Sequence, residues 1–354
     1  MSLPLKQPPA TLCIVRLSAL GDVSHAVPVL RAIQAQWPTT QVTWICARLE
    51  HKLLSLIEGV RFIVLDKKSG LSGYIKLRRE LAGERFDVML QMQTSTRANL
   101  TGACVKSDIK LGWDEARARE FHQQFMTDAI PAVPFEHQVQ GHLSFARTLG
   151  LDADEPVWDL PVGAAEAAFA ADVMPEGRNS LLISPCSSHP ARNWRAERYA
   201  AVADYAVEKL GMQVVLSGGP SQAEIEIGRA IEARMTCPVS NMIGKDTLPQ
   251  LVAMVQRADI VISPDSGPAH LANAMGTPVV GLHASTWSRR SGPYHSLHLC
   301  VDKFEEAARK YRDKAPQELR WGTRIEDEGV MDLIGVEEVI ERLESAARQP
   351  VAAH

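Results

Sequence analysis

Asp265-Ser-Gly-Pro-Ala-His270 brings a carboxylate, a hydroxyl, a glycine and an imidazole into one short turn between two apolar runs, Ile260-Val-Ile-Ser-Pro264 and Pro278-Val-Val-Gly-Leu282. Read as strand, turn, helix and strand, this stretch suits anion binding. Unpaired N–H groups at the helix start would face a phosphate, with Ser266 and His270 within the first turn or so. Gly267 lets the backbone approach closely, Pro268 suits the first helical turn, and Asp265 or Ser266 can cap the helix. Capped turns of this kind also occur without ligands in any parallel α/β sheet, so the weight rests on the neighbouring turns. Ser187, Ser188 and Arg192 follow Leu181-Leu-Ile-Ser-Pro185, Ser217-Gly-Gly-Pro-Ser221 follows Gln213-Val-Val-Leu216, and Gly244-Lys-Asp-Thr-Leu248 precedes another helix. Four polar turns from successive units of one parallel sheet can converge at its carboxyl edge. Their hydroxyls, glycines and cation suit a nucleotide diphosphate, although neither GxGxxG nor the P-loop pattern is present.

A second set lies near the start of the chain. Arg16-Leu-Ser-Ala-Leu-Gly-Asp22 follows the apolar run Thr11-Leu-Cys-Ile-Val15 and leads into a helical pattern from Val23 to Gln36. A carboxylate at that edge can take a proton from an attacking hydroxyl; it can equally cap the helix. His25, one turn on, can orient Asp22 or be a satisfied polar histidine. His283, Trp287, Arg289 and Arg290 follow the strand ending at Leu282 and fall at the same kind of edge.

The elements that must position these residues alternate. Gln41-Val-Thr-Trp-Ile-Cys46, Phe62-Ile-Val-Leu65 and Phe86-Asp-Val-Met-Leu-Gln91 read as further strands separated by helices, and the plan recurs after the acidic, proline-punctuated segment Leu151 to Pro161. This predicts two α/β domains with doubly wound parallel sheets, joined by a linker. Asp152-Ala-Asp154 follows a helix end and reads as solvated loop, not a metal motif.

At 354 residues, 45% hydrophobic and 23% charged, the composition is that of a globular protein with room for two cores. Six scattered cysteines without a CxxC pair predict a reducing compartment and no zinc. No apolar run reaches about 18 residues and the first residues lack a signal-peptide core, so a cytoplasmic location is expected. The net charge of −4 conceals a basic segment, residues 61 to 120, with twelve Lys or Arg against eight Asp or Glu. Such a run suits a solvated face, an acidic ligand or a membrane surface; without interleaved aromatics it does not suggest nucleic acid.

Leu20-Gly-Asp-Val23, Arg192-Asn-Trp194 and Asp265-Ser-Gly-Pro-Ala-His270 together resemble the family 9 glycosyltransferases, which include the lipopolysaccharide heptosyltransferases, and the similarity spans nearly the whole chain. The resemblance implies the GT-B fold, two Rossmann-like doubly wound parallel-sheet domains facing across a crevice. Residues 1–165 would form the acceptor domain, 166–334 the nucleotide-sugar domain, and 335–354 a helix returning toward the first. It implies an inverting, metal-independent transfer of heptose from ADP-heptose to the inner core (Kdo or heptose) of lipopolysaccharide, without a cofactor. The enzyme would work in peripheral contact with the cytoplasmic face of the inner membrane. By position, Asp22 matches the general base. Ser187, Ser188, Arg192, Gln222, Asp265, Ser266, Gly267 and His270 match donor contacts, with Glu224 an alternative to Gln222. Arg117 and Arg119 occupy an acceptor loop. Arg192 stands where lysine is expected, replacing a point donor by a planar fork. A nucleotide-sugar epimerase or hydrolase on a similar fold needs no acceptor, and a non-catalytic nucleotide-sugar binding protein would not need Asp22.

Overall fold

A computed structural model describes residues 2–66 and 68–348; Lys67 of the basic segment and the end of the 335–354 region lie outside the described residues. The chain divides between Pro161 and Val162 into two compact units.

In the first unit, β1 (Thr11–Val15), β2 (Gln41–Ala47), β3 (Val60–Leu65), β4 (Phe86–Gln91), β5 (Ser107–Gly112) and β6 (Asp128–Ala129) form one parallel sheet in the order β3-β2-β1-β4-β5-β6. The central β1 is covered on both faces, which is why Leu12, Cys13, Ile14 and Val15 form an unbroken apolar run instead of alternating. Helix Leu20–Gln36 buries Val23, Val27, Leu30 and Ile33, a spacing of three and four residues, and packs against helix Gln138–Leu149. Each such side chain contributes about 1.5–3 kcal/mol by leaving water, and Leu30→Ala would cost about 2–5 kcal/mol through the cavity it leaves.

The second unit repeats the topology. Here β7 (Ser180–Ile183), β8 (Gln213–Leu216), β9 (Ser240–Asn241), β10 (Ile260–Pro264), β11 (Val279–His283) and β12 (Val301–Asp302) order as β12-β11-β10-β7-β8-β9, again all parallel. In each sheet the winding reverses between two adjacent central strands, β1 and β4 in one, β7 and β10 in the other. The connections leaving these strands run in opposite directions there, and the carboxyl edge at such a reversal is where doubly wound sheets bind ligands. Helix Val336–Ala347 places Val339, Leu343 and Ala346 in the core of the second unit, and Glu344 accepts a hydrogen bond from Tyr205.

Residues 151–161, expected as a linker, are strapped to the first unit. Ala153, Trp158 and Leu160 are buried, the Trp158 indole donates to the Ser24 carbonyl at 3.0 Å, and Arg31 donates to the Trp158 carbonyl at 3.2 Å. The prolines suppress regular structure without preventing burial of these apolar side chains.

Candidate active site

Asp22 is not the cap of its helix. Ala19 takes that position and Asp22 is the third helical residue, its Oδ2 accepting from the Ala19 N–H at 3.4 Å. The same oxygen lies 2.6 Å from Nη2 of Arg16, whose side chain is 8% exposed against 32% for Asp22. Gln138, at the start of helix Gln138–Leu149, donates to Asp22 Oδ1 at 3.4 Å. Burial pushes the Arg16 pKa down, and Asp22 is the strongest opposing influence, followed by Glu50. Arg16 donates through Nη1 to the Met92 carbonyl, which belongs to the turn after β4. The pair therefore sits at the winding reversal of the first sheet. His25 is buried, edge-on to His142 at 5.8 Å and His137 at 6.4 Å. Burial holds the His142 imidazole down at about 4, so it is neutral at pH 7.

Arg117 and Arg119 differ sharply. Arg117 donates to Asp114, to Glu136 at 2.8 Å and to the Pro131 carbonyl at 2.8 Å, and lies 4.9 Å over the Trp113 ring. Its fork holds the loop together. Arg119 is exposed.

In the second unit, β7 and β10 run side by side, and the Ser184 N–H still bonds the Ile262 carbonyl at 3.0 Å as the two strands end. Beyond β10, Ser266 occupies the cap position of helix Gly267–Ala274, but its side chain makes no capping hydrogen bond. The hydroxyl of Ser266 pairs with that of Ser263 at 2.7 Å, and the Asp265 carboxylate turns to the Ser291 hydroxyl at 3.1 Å and to His270 Nε2 at 3.4 Å. Both expected caps are thus engaged elsewhere, and the first-turn N–H groups keep the partial positive charge that attracts an anion. Burial would raise the Asp265 pKa, but bonds and charge from His270, with His283 and Thr286, outweigh it and hold the carboxyl far below its usual range.

Beyond β7, Arg192 is buried on the single turn Pro190–Arg192. Its Nε and Nη2 donate to one oxygen of Glu326 at 3.1 and 2.8 Å, while Nη1 reaches the Ser187 hydroxyl at 3.5 Å. The Ser187 N–H donates to Asn193 Oδ1 at 2.7 Å, and Ser188 is exposed. Glu326 is raised by its burial, but Arg192, His189 and Arg324 together leave it below the ordinary glutamate value. A guanidinium can present one edge to Glu326 and a separate N–H toward Ser187, which an ammonium does not do in fixed geometry. That is a physical reason for arginine here.

At the turn after β8, Gln222 faces outward and donates to Glu226 at 2.8 Å. Glu224 instead closes the glycine turn, accepting from the Gly219 N–H at 2.5 Å and from the Ser221 hydroxyl at 3.0 Å. Asp246 accepts from Ser217 at 3.3 Å, and burial pushes its carboxyl up to about 6. His283 is buried, and Trp287 stacks on Phe304 at 5.7 Å, with Arg289 lying 5.7 Å over the Trp287 ring.

Arg16 and Glu326 were missed in the sequence. Arg16 carried a usable signal, a charged residue directly after a buried central strand. Glu326 carried none, because its partner lies 134 residues away.

The family model for glycosyltransferase family 9 (heptosyltransferase) matches residues 74–320. The chain is 39% identical over 332 residues to the lipopolysaccharide core heptosyltransferase OpsX of Haemophilus influenzae, covering 94% of this chain and 95% of that protein. A family 9 glycosyltransferase structure from Veillonella parvula superposes with a TM-score of 0.80 at 21% identity, covering 96% of this chain and 97% of the other. The Escherichia coli ADP-heptose lipopolysaccharide heptosyltransferase II structure gives a TM-score of 0.71 at 20% identity, covering 95% and 98%.

Proposed function

The chain belongs to glycosyltransferase family 9, and from that premise we propose that it moves a heptose from ADP-heptose to the inner core of lipopolysaccharide, on Kdo or on heptose, with inversion at the anomeric carbon. The observation that carries the donor half is the uncapped start of helix Gly267–Ala274 on the strand adjoining the Arg192 turn. A helix N-terminus and a buried guanidinium, flanked by Ser187 and Ser188, are suited to a diphosphate and to the charge that develops on it as it leaves. The likeness to OpsX supports heptose and lipopolysaccharide core as the substrate classes.

In this reading the acceptor hydroxyl oxygen forms a bond to the anomeric carbon as the bond to the diphosphate breaks. The bonding electrons leave on ADP and the hydroxyl proton passes to the Asp22 carboxylate. Arg16 holds that carboxylate in place through the 2.6 Å ion pair. Glu224, which lies at the glycine turn while Gln222 faces outward, is the better placed of the two candidates for a ribose or base contact, and Arg119 is the better placed for the acceptor, since Arg117 is engaged elsewhere. With an arginine and a helix start for the leaving group, the proposed mechanism needs no metal. The enzyme acts at the cytoplasmic face of the inner membrane, held there peripherally by the basic segment of residues 61–120. No helix among the described residues is long and apolar enough to cross a membrane.

The deciding experiment is a donor screen of nucleotide sugars with Kdo-lipid A as acceptor, followed by mass analysis. A heptosylated product formed only when acceptor is present is expected. Turnover of ADP-heptose at equal rate without acceptor would refute transfer in favour of hydrolysis or epimerisation.

A further inference from the structure

The peripheral contact just proposed rests on charge; the surface of the first unit carries more than charge. Ten large apolar side chains are exposed among the described residues, and nine lie in the first unit, Leu297 being the exception. Two of the nine, Leu71 at 76% exposure and Ile75 at 45%, sit four residues apart on helix Gly70–Glu80 and so form one stripe. They are not the edge of a poorly packed core. The same helix is anchored by a different face, with Gly73 and Leu77 buried and Tyr74 packed on the cluster that includes Leu65 and Leu81.

Cations frame the stripe. Arg78 and Arg79 lie three and four residues beyond Ile75, Lys76 is next to it, and Lys68 precedes the helix; all four are exposed. Glu80, at the last position, is the helix's single acidic residue. The Tyr74 hydroxyl bonds the Arg97 carbonyl at 3.5 Å, which brings alongside helix Thr96–Ala103 with its exposed Arg97 and Leu100. A merely solvated helix face accounts for the cations but leaves Leu71 and Ile75 unexplained. Two apolar side chains among so many like charges make a poor core for pairing with a second copy. An apolar stripe with a cationic surround on a short anchored helix matches the demands of an anionic lipid surface, whose headgroups meet the cations while the apolar tips reach the acyl boundary.

We propose that helix Gly70–Glu80 is a membrane-docking element in which Leu71 and Ile75 enter an anionic lipid surface and Lys68, Lys76, Arg78 and Arg79 bind its phosphates. This deepens the peripheral-contact reading and rests on it. The test is co-sedimentation of the full chain with vesicles of phosphatidylglycerol and phosphatidylethanolamine, or of phosphatidylcholine, at about 0.05 and about 0.5 M salt, where charge attraction is respectively long-ranged and nearly screened. The wild type is expected to bind the anionic vesicles strongly at low salt and to keep a residual fraction at high salt. L71S/I75S should bind about tenfold more weakly at low salt and lose the residual fraction. R78A/R79A should lose about fivefold per charge at low salt. Both variants change exposed positions, so thermal melts and turnover with a water-soluble, deacylated acceptor should match the wild type. Wild-type sedimentation of L71S/I75S at both salts would overturn the proposal while leaving the electrostatic contact standing. A change in solution mass of that variant without a change in vesicle binding would overturn it in favour of self-association. Absence of wild-type binding to anionic vesicles at low salt would instead remove the peripheral-contact reading itself.

Discussion

Asp22→Asn keeps the size and most of the hydrogen-bonding capacity of the side chain and removes its charge, and the structure separates two consequences. The first is stability. Arg16 is buried, one amino group is engaged by the Met92 carbonyl, its Nε has no hydrogen-bond partner among the described residues, and Asp22 Oδ2 lies 2.6 Å from the other amino group. The substitution therefore leaves a buried cation without its carboxylate. Breaking a fully buried pair costs about 3–5 kcal/mol and an exposed pair about 0–1 kcal/mol. With one partner 8% and the other 32% exposed, a cost of about 1–3 kcal/mol is expected. For a unit of this size that lowers Tm by about 2–12 °C. The second consequence is chemical. Without a base for the acceptor proton, turnover should fall by about 10²- to 10⁴-fold, equivalent to about 3–5 kcal/mol on the barrier. The proposed donor contacts all belong to the second unit, so ADP affinity should be unchanged. The assay is heptose transfer measured well below the variant's Tm, with ADP calorimetry on the same preparation. A folded variant that binds ADP normally and turns over near the wild-type rate would refute Asp22 as the base. A variant that has lost ADP binding as well would refute the division of labour between the two units.

Arg192→Ala should weaken ADP binding by about 1.5–3 kcal/mol, the worth of a hydrogen bond to a charged group, and calorimetry that finds no change would take Arg192 out of the donor site. Arg117→Ala should cost about 2–4 kcal/mol of stability by stranding Asp114 and leaving Glu136 with the longer contact to Arg147 alone of its two arginine pairs, whereas Arg119→Ala should leave the melt unchanged and raise KM for the acceptor; the reverse pattern would exchange their roles. Asp246, raised by burial from 3.8 to about 6, keeps its proton in the folded chain after the unfolded chain has lost it, so its contribution favours folding below about pH 4 and fades as pH rises to about 6. Asp246→Asn should therefore raise Tm more at pH 7.5 than at pH 4, and an equal rise at both would show that the carboxyl is not held protonated.

Much of the architecture was legible in the sequence for local reasons. Long apolar runs such as Leu12–Val15 and Val88–Leu90 can satisfy their backbone and hide both faces only in the middle of a covered parallel sheet, and glycine, proline and polar turns punctuate them. The turn at Asp265 was correctly placed at a strand end, because turn chemistry is written within a few residues, whereas Asp22, expected in the turn before a helix from Val23, lies inside a helix that already starts at Leu20. The two-residue edge strands β6, β9 and β12 were not legible, since so short a segment has no period.

Tertiary structure alone decided which partner each polar side chain would take. Asp22 and Ser266 have the composition of caps, yet one is claimed by the buried Arg16 and the other by Ser263. Gln222 and Glu224 sit on the same helix, and only packing against the Gly218-Gly219 turn turns Glu224 inward. Arg192 meets a carboxylate 134 residues away, and Arg117 takes partners that Arg119 does not reach. A sequence records what each residue can bond; which bond forms is a competition among groups that only the folded chain brings within 3 Å, where burial makes an unmet charge costly and so settles the choice.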